Sequence, residues 1–334
     1  MDLPELERRL GPFVKSKYND EDATATDVYN MPGHAGFSYG FTANSAGTSE
    51  SWYLRLPPPN VNWKGTADVL RQVTALHALK GTGVPHCDVR WSGDDLEWFE
   101  RPYFVVPKLD GDIFRQEEGG WGRDLPKETR WSMARQAMTA LAGVHKVDWK
   151  STCAYLGAPV PFDEDVSRWD KFVSRAAEPK MMVHQPALRE RLLGAIPEDA
   201  PVGLFHGDFQ WSNVFFSYQG DLLAIIDWEL TGIGATLNDV GWMATFNDPD
   251  AWSHEHPVSD LMPGADELVD MYAEAYGQPL PNLNWFRALA AYKFAIITGF
   301  NLYLHRTGKR PDPTWENTGP SAKTLMERAL ELLG

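Results

Sequence analysis

Four apolar residues run without a break from Tyr103 to Val106, whereas from Thr66 to Leu79 the apolar positions Val69, Val73, Leu76 and Leu79 recur every three or four residues. The first pattern predicts a short buried strand and the second a helix with one apolar face, closed by Gly81 and Gly83. Upstream, Tyr39–Ala43 and Ser51–Leu56 read as a strand pair ended by the prolines at 57–59, with a glycine-bearing turn over Met31–Gly40 at one end. The first hundred residues therefore read as strands and turns, then one helix. Pro107-Lys108-Leu109-Asp110-Gly111 predicts a hinge, and beyond it Thr129–His145 is helical, with Trp131, Ala134, Met138 and Leu141 on one face. The remainder alternates helical stretches with one strand pair. The expectation is an α+β chain made of a small β-rich lobe, residues 1–106, and a larger, mainly helical lobe, residues 107–334.

Composition narrows the function. The chain has 334 residues, 43% of them apolar and 23% charged, enough to bury a sizeable core and unlike a disordered tail, a fibre or a disulfide-stapled miniprotein. Its net charge of −15 argues against binding nucleic acid through phosphate neutralisation. The whole excess lies in one segment: Leu192 to Phe286 contains no Lys or Arg and fifteen Asp or Glu, which leaves 31 acidic side chains to balance the 31 basic ones elsewhere. Such a field is either a solvated surface or one that receives a cationic substrate or metal ions. The N-terminus lacks the apolar run of a signal peptide, and the most apolar late stretch, Ala288 to Leu304, is interrupted by Lys293. Two distant cysteines, Cys87 and Cys153, suit a reducing compartment. The expectation is a soluble cytoplasmic protein with neither a membrane nor a nucleic-acid partner.

The chemistry concentrates between Leu204 and Asp239. His206-Gly207-Asp208-Phe209-Gln210-Trp211-Ser212-Asn213 precedes two apolar runs, Val214–Ser217 and Leu222–Ile226, separated by a Gly-Asp turn. They read as an antiparallel hairpin. Counting outward from the turn pairs Val214 with Ile225, so Asn213 and Asp227 emerge at the same open end, about one strand spacing (~5 Å) apart. Two oxygen ligands so placed suit Mg²⁺, which fills its octahedron with phosphate oxygens and water. His-x-Asp-x-x-x-x-Asn followed by a metal-binding Asp is the loop that protein kinases use. Phosphoryl transfer needs a carboxylate to take the proton of the attacking hydroxyl, the role of Asp208, and metal to neutralise phosphate charge, the role of Asn213 and Asp227. His206 shapes the loop. Asp239 reads as a helix cap or loop brace, and Glu229 as either a supporting group or a plain strand-end charge.

With Ile226-Asp227-Trp228-Glu229 and the later Asp239, these residues resemble the aminoglycoside phosphotransferase and choline kinase superfamily. Tyr53-Leu54-Arg55, Gly83-Val84-Pro85 and Arg101–Val106 further resemble the kinase-like domains associated with acyl-CoA dehydrogenases. The resemblance implies a two-lobed protein-kinase-like fold and ATP- and Mg²⁺-dependent transfer of the γ-phosphate to a hydroxyl of a small molecule. A cationic acceptor such as an aminoglycoside would suit the acidic segment. Gly33, Gly36, Ser38 and Gly40 would cradle phosphate with Arg55, and the backbone of Val106, Lys108 and Asp110 would hold adenine. Kinases pair a strand lysine with a helix glutamate. Here Arg55 stands in for the lysine, with Gln72 opposite it on the helix and Lys64 as another phosphate ligand.

Two rival readings come from other classes. Gly36-Phe37-Ser38-Tyr39-Gly40 matches the nucleophile elbow of serine hydrolases, but that elbow needs a strand before it and a helix after it, and the flanking patterns supply neither. A non-catalytic nucleotide-binding scaffold fits Arg55 and Gln72, yet has no use for a base at Asp208.

Overall fold

Leu6, Leu10, Phe13 and Val14 are buried along one face of a helix, α1 (Leu3–Tyr18), which replaces the strands and turns expected at the start of the chain. Asp2 caps it by accepting the Glu5 N–H at 2.9 Å, and Asn19 closes it in the left-handed region at φ 52°. The computed structural model describes residues 1–31, 37–116, 119–256 and 258–334. It divides into two compact units, the first comprising Met1–Gly111, Asp148–Leu156 and Leu223–Thr231, and the second the remaining stretches. The fold is α+β, with a sheet in the N-terminal region and a mostly helical C-terminal part.

In the first unit, β1 (Thr24–Asn30), β2 (Ser38–Ser45), β3 (Thr48–Arg55), β4 (Trp91–Gly93) and β5 (Tyr103–Pro107) form an antiparallel sheet in the order β1-β2-β3-β5-β4. The expected strand pair is β2 and β3, in register from Ser38 opposite Arg55 to Ser45 opposite Thr48. Strand β1 occupies residues whose polar, turn-like pattern predicts no strand. Its pairing with β2 shifts register between Thr26 and Tyr29, where Asp27 takes φ 52°, so the alternation that would announce a strand is broken. The predicted helix is α2 (Val69–Leu79), preceded by a single 3₁₀ turn at Gly65–Ala67. The sheet packs on α1 through Phe13, whose ring meets Trp91, Phe99 and Tyr103 at 5.8, 5.1 and 5.5 Å. Each such buried side chain contributes roughly 1.5–3 kcal/mol.

The second unit begins with β6 (Asp112–Ile113) and α3 (Lys127–His145), the latter close to the predicted helix. Strand β7 (Val202–Phe205) leads into the loop at His206, and β8 (Val214–Phe216) leaves it and pairs with β6. A turn closed by the Ser217 N–H on the Asp221 carbonyl at 2.8 Å carries the chain into β9 (Leu222–Ile225). After the excursion through the first unit, β10 (Gly232–Ala235) returns antiparallel to β7 and feeds the helix Leu237–Phe246. That helix crosses the long helix Leu283–Arg306 at Gly241, where a Cβ would lie 2.5 Å from the Phe286 carbonyl oxygen. Only glycine permits this approach, and it sets the places of Asp239 and Trp242 on either side. Among the described residues, no helix is long and apolar enough to cross a membrane.

Candidate functional site

The loop from His206 to Asn213 is fixed from both ends. Phe209 and Trp211 anchor it in the core of the second unit, Trp211 also donating its indole N–H to Asn247 Oδ1 at 2.9 Å. Gly207 takes φ 92°, which lets two successive backbone N–H groups turn toward one carboxylate. That carboxylate is Asp239, which accepts from His206 N at 2.6 Å and Gly207 N at 2.8 Å. It also receives His145 Nε2 at 3.1 Å, while His145 Nδ1 lies 2.7 Å from the Tyr272 hydroxyl. With Nε2–H donating, Nδ1 accepts from the phenol. Burial pushes the Tyr272 phenol well above its ordinary range, with Tyr276 and Asp239 adding to the shift, so it stays protonated as a donor. Burial alone would raise Asp239, but the His145 hydrogen bond, the His206 ring and the His206 backbone N–H outweigh it and hold the carboxyl below its ordinary value. Asp239 is therefore a loop brace.

Asp208 projects from this loop with both oxygens held. Oδ1 accepts from Trp242 Nε1 and from Gln210 Nε2, each at 2.8 Å. Oδ2 accepts from Asn213 Nδ2 at 3.0 Å, and the same amide reaches the Asp208 carbonyl at 2.8 Å. Burial raises the Asp208 carboxyl above its ordinary value against the lowering effects of His206 and the three side-chain donors. His206 is fully buried, and its Nδ1 accepts the Asp208 N–H at 3.2 Å, so the histidine shapes the loop through its backbone. Asn213 spends its amino group on Asp208, which leaves Oδ1 without a hydrogen bond among the described residues.

The first unit carries the remaining candidates. Asp227 is exposed and takes the left-handed conformation, φ 60° and ψ 62°, uncommon for a residue other than glycine. Two residues on, Glu229 accepts from Arg55 Nη2 at 2.9 Å. Arg55 Nη1 donates to Ser38 Oγ at 2.7 Å, as does the Tyr53 hydroxyl. The partner of Arg55 is thus Glu229 and not Gln72, which is buried on α2 with its Nε2 free of any hydrogen bond among the described residues. A pair 174 residues apart has no spacing signal, which is why sequence reasoning leaves Glu229 undecided. Ser38 opens β2 and is followed by strand, so it sits on no nucleophile elbow, and its hydroxyl instead orients Arg55. Gly40 is a packing requirement: a Cβ there would meet the Tyr29 ring at 2.3 Å. Gly33 and Gly36 lie outside the described residues. Val106 pairs with Tyr53, Lys108 donates its N–H to the Ser51 carbonyl at 3.0 Å, Asp110 is exposed beyond β5, and Lys64 is exposed ahead of α2.

Comparison with known proteins adds independent findings. The sequence profile of a phosphotransferase enzyme family matches residues 39–289. Acyl-CoA dehydrogenase family member 11 of Pongo abelii is 33% identical over 268 residues, which cover 74% of this chain and 33% of that protein. The chain spans 26% to 43% of the length of the curated relatives it matches. Among solved structures, a protein of Ralstonia eutropha JMP134 provisionally assigned as an aminoglycoside phosphotransferase superposes with a TM-score of 0.76 at 19% identity, covering 97% of this chain and 98% of that one. A thermostable variant of aminoglycoside phosphotransferase APH(4)-Ia, solved as a ternary complex with ADP and hygromycin B, superposes with a TM-score of 0.59 at 13% identity, covering 96% and 98%. At these identities the structural likeness speaks to the fold, a kinase-like phosphotransferase one.

Proposed function

We propose, from the premise that this chain belongs to the phosphotransferase enzyme family, that it moves the γ-phosphate of ATP, with Mg²⁺ bound, onto a hydroxyl group of a small molecule. The observation that carries the reading is Asp208: a carboxylate held by three side-chain donors on a braced loop, with burial raising its proton affinity. A general base must be held in place and be basic enough to take a proton: the three contacts hold Asp208, and burial, against their lowering effect, raises its proton affinity. The ADP complex of a structural relative supports ATP as the donor.

In this reading residues 1–106 serve the nucleotide and residues 107–334 carry the catalytic loop and the acceptor. Adenine rests on the backbone of Val106, Lys108 and Asp110. Arg55, held in place by Glu229 and Ser38, turns its guanidinium to phosphate oxygens. Arg55 and Glu229 then do the work of the lysine–glutamate pair of other kinases. Asn213 Oδ1 and the Asp227 carboxylate are the oxygen donors assigned to the cation, each of the hard kind that Mg²⁺ takes. Bound there, Mg²⁺ would neutralise charge on the phosphate oxygens. Asp208 orients the acceptor hydroxyl and takes its proton, and the Trp242, Gln210 and Asn213 donors keep its oxygens from rotating away.

The test is Mg²⁺-dependent ADP release across a panel of alcohols, with Asp208→Asn as the control. Loss of a positioned base lowers kcat by about 10²–10⁴-fold. A variant that keeps its rate within a few-fold of the parent removes Asp208 from the mechanism.

A further inference from the structure

Lys293, on the long helix Leu283–Arg306, is a cation inside the second unit, with 10% of its side chain exposed. Its ammonium lies 5.7 Å from the centroid of the Trp242 ring and 5.9 Å from that of Trp169, so two indoles flank it. Ring faces attract a cation but offer it no lone pair. Its ion pair among the described residues is with Asp165 Oδ1 at 3.8 Å, beyond hydrogen-bond reach. That carboxylate is already engaged: Oδ1 pairs with Arg168 Nη2 at 2.5 Å, and Oδ2 accepts from Asn238 Nδ2 at 2.6 Å. Two cations thus share one carboxylate.

Two donors here are short of acceptors. Burial pulls the Lys293 ammonium below its ordinary value, with Asp165 and Asp239 opposing the fall and Arg168 adding to it. Asp239 has both oxygens spent on His145 and on the N–H groups of the His206 loop. The Trp169 indole Nε1 is buried and has no hydrogen-bond partner among the described residues. A buried donor left unpaired is costly, and a buried ammonium more so. An oxyanion placed here would give both groups an acceptor and favour the charged form of the lysine. The location gives this a use. Trp242, whose ring the ammonium approaches, is the residue whose N–H holds Asp208 Oδ1 at 2.8 Å, so one indole separates the cation from the candidate base.

We infer that Lys293 and the Trp169 N–H form an oxyanion subsite beside the candidate base, and that the acceptor is an alcohol that also carries a carboxylate. The carboxylate oxygens accept from the ammonium and the indole, and the hydroxyl is presented to Asp208 across the width of the Trp242 ring. The inference rests on the phosphotransferase reading for the role of Asp208 and goes beyond it in naming the substrate class. It sets aside the cationic acceptor that the acidic segment suggests, because such a molecule would meet an ammonium beside Trp242.

Binding is read without turnover, so that its outcome is separate from that of the phosphotransfer assay. The full chain is prepared with ¹⁵N-labelled tryptophan, and the Trp169 indole resonance is identified by its loss in Trp169→Phe. The probes are 4-(hydroxymethyl)benzoate, 4-(hydroxymethyl)benzamide and 4-(hydroxymethyl)benzylammonium, one frame in three charge states, with acetate as the anion alone. Acetate and the benzoate are expected to bind saturably and to move the Trp169 Nε1–H resonance downfield. The benzoate should bind roughly tenfold or more tightly than the amide or the ammonium, the worth of a hydrogen bond to a charged group. Lys293→Met, close in size and without the charge, is expected to cancel that preference, and Trp169→Phe to weaken benzoate binding. Circular dichroism and thermal melts of both variants establish that they are folded. Absent saturable binding of the anions, a Trp169 resonance unmoved at saturation, a preference that survives in folded Lys293→Met, or tighter binding of the ammonium would each overturn the inference. Lys293-dependent binding of the anions together with absent ADP release across the alcohol panel, the benzoate included, would leave the subsite standing and sink the phosphotransferase reading instead.

Discussion

Replacing Asp239 by Asn changes one oxygen for an amino group at a fully buried position that receives three donors. Oδ2 takes His206 N–H and His145 Nε2–H, and Oδ1 takes Gly207 N–H, so whichever way the amide turns, its NH₂ faces an N–H and the carboxylate charge is gone. Hydrogen bonds to a charged acceptor contribute ~1.5–3 kcal/mol each, and breaking a buried pair costs ~3–5 kcal/mol. We expect a loss of about 3–5 kcal/mol at neutral pH, together with a large fall in kcat because the loop that carries Asp208 loses its brace. Guanidinium denaturation followed by tryptophan fluorescence measures the first quantity, and steady-state ADP release the second. The pH dependence sharpens the test. The folded carboxyl sits below the ordinary value of 3.8, so its contribution is complete above that value and is lost as pH falls through the folded one. The stability gap between the parent and Asp239→Asn should therefore stay constant from neutral pH down toward 4 and close below it. A loss under about 1 kcal/mol at neutral pH, or a gap that widens on acidification, would refute the brace.

Other expectations follow from the same contacts. Arg55→Ala and Glu229→Gln should each raise the apparent KM for ATP, the first by roughly tenfold or more from the loss of a charge-assisted phosphate contact; nucleotide affinities equal to the parent's would take the pair out of the site. Trp242→Phe removes an N–H that favours the ionised form of Asp208, whose carboxyl burial already raises, so the acid limb of kcat/KM should move to higher pH. A limb that stays in place or moves down would contradict that assignment. Gly241→Ala puts a methyl 2.5 Å from the Phe286 carbonyl and should cost about 1–3 kcal/mol in thermal or chemical unfolding.

How much of this is legible in the sequence depends on the range over which each feature is encoded. The strands β2, β3 and β5 and the helices α2 and α3 follow from local periodicity, which is where they were expected. Helix α1 carries the same signal in Leu6, Leu10, Phe13 and Val14, but Pro4 and Pro12 within it look like breakers. Pro4 sits in the first turn, where its missing N–H costs nothing. Strand β1 is illegible because a register shift interrupts its alternation. At the site, the kinase-like loop points to Asp208, Asn213 and Asp227 through their spacing. The Arg55–Glu229 pair, the His145–Tyr272 support of Asp239 and the Trp242 donor join residues distant in sequence, and no local rule encodes them.

The first unit is assembled from three separate stretches, the last ending at Thr231. During synthesis it therefore waits for a peptide that emerges only after the His206 loop has left the ribosome, although its five-stranded sheet is complete by Pro107. Nor can a protease release that unit whole by one cut: cleavage after Gly111 would strand Glu229 on the other fragment and leave Arg55 without its anion.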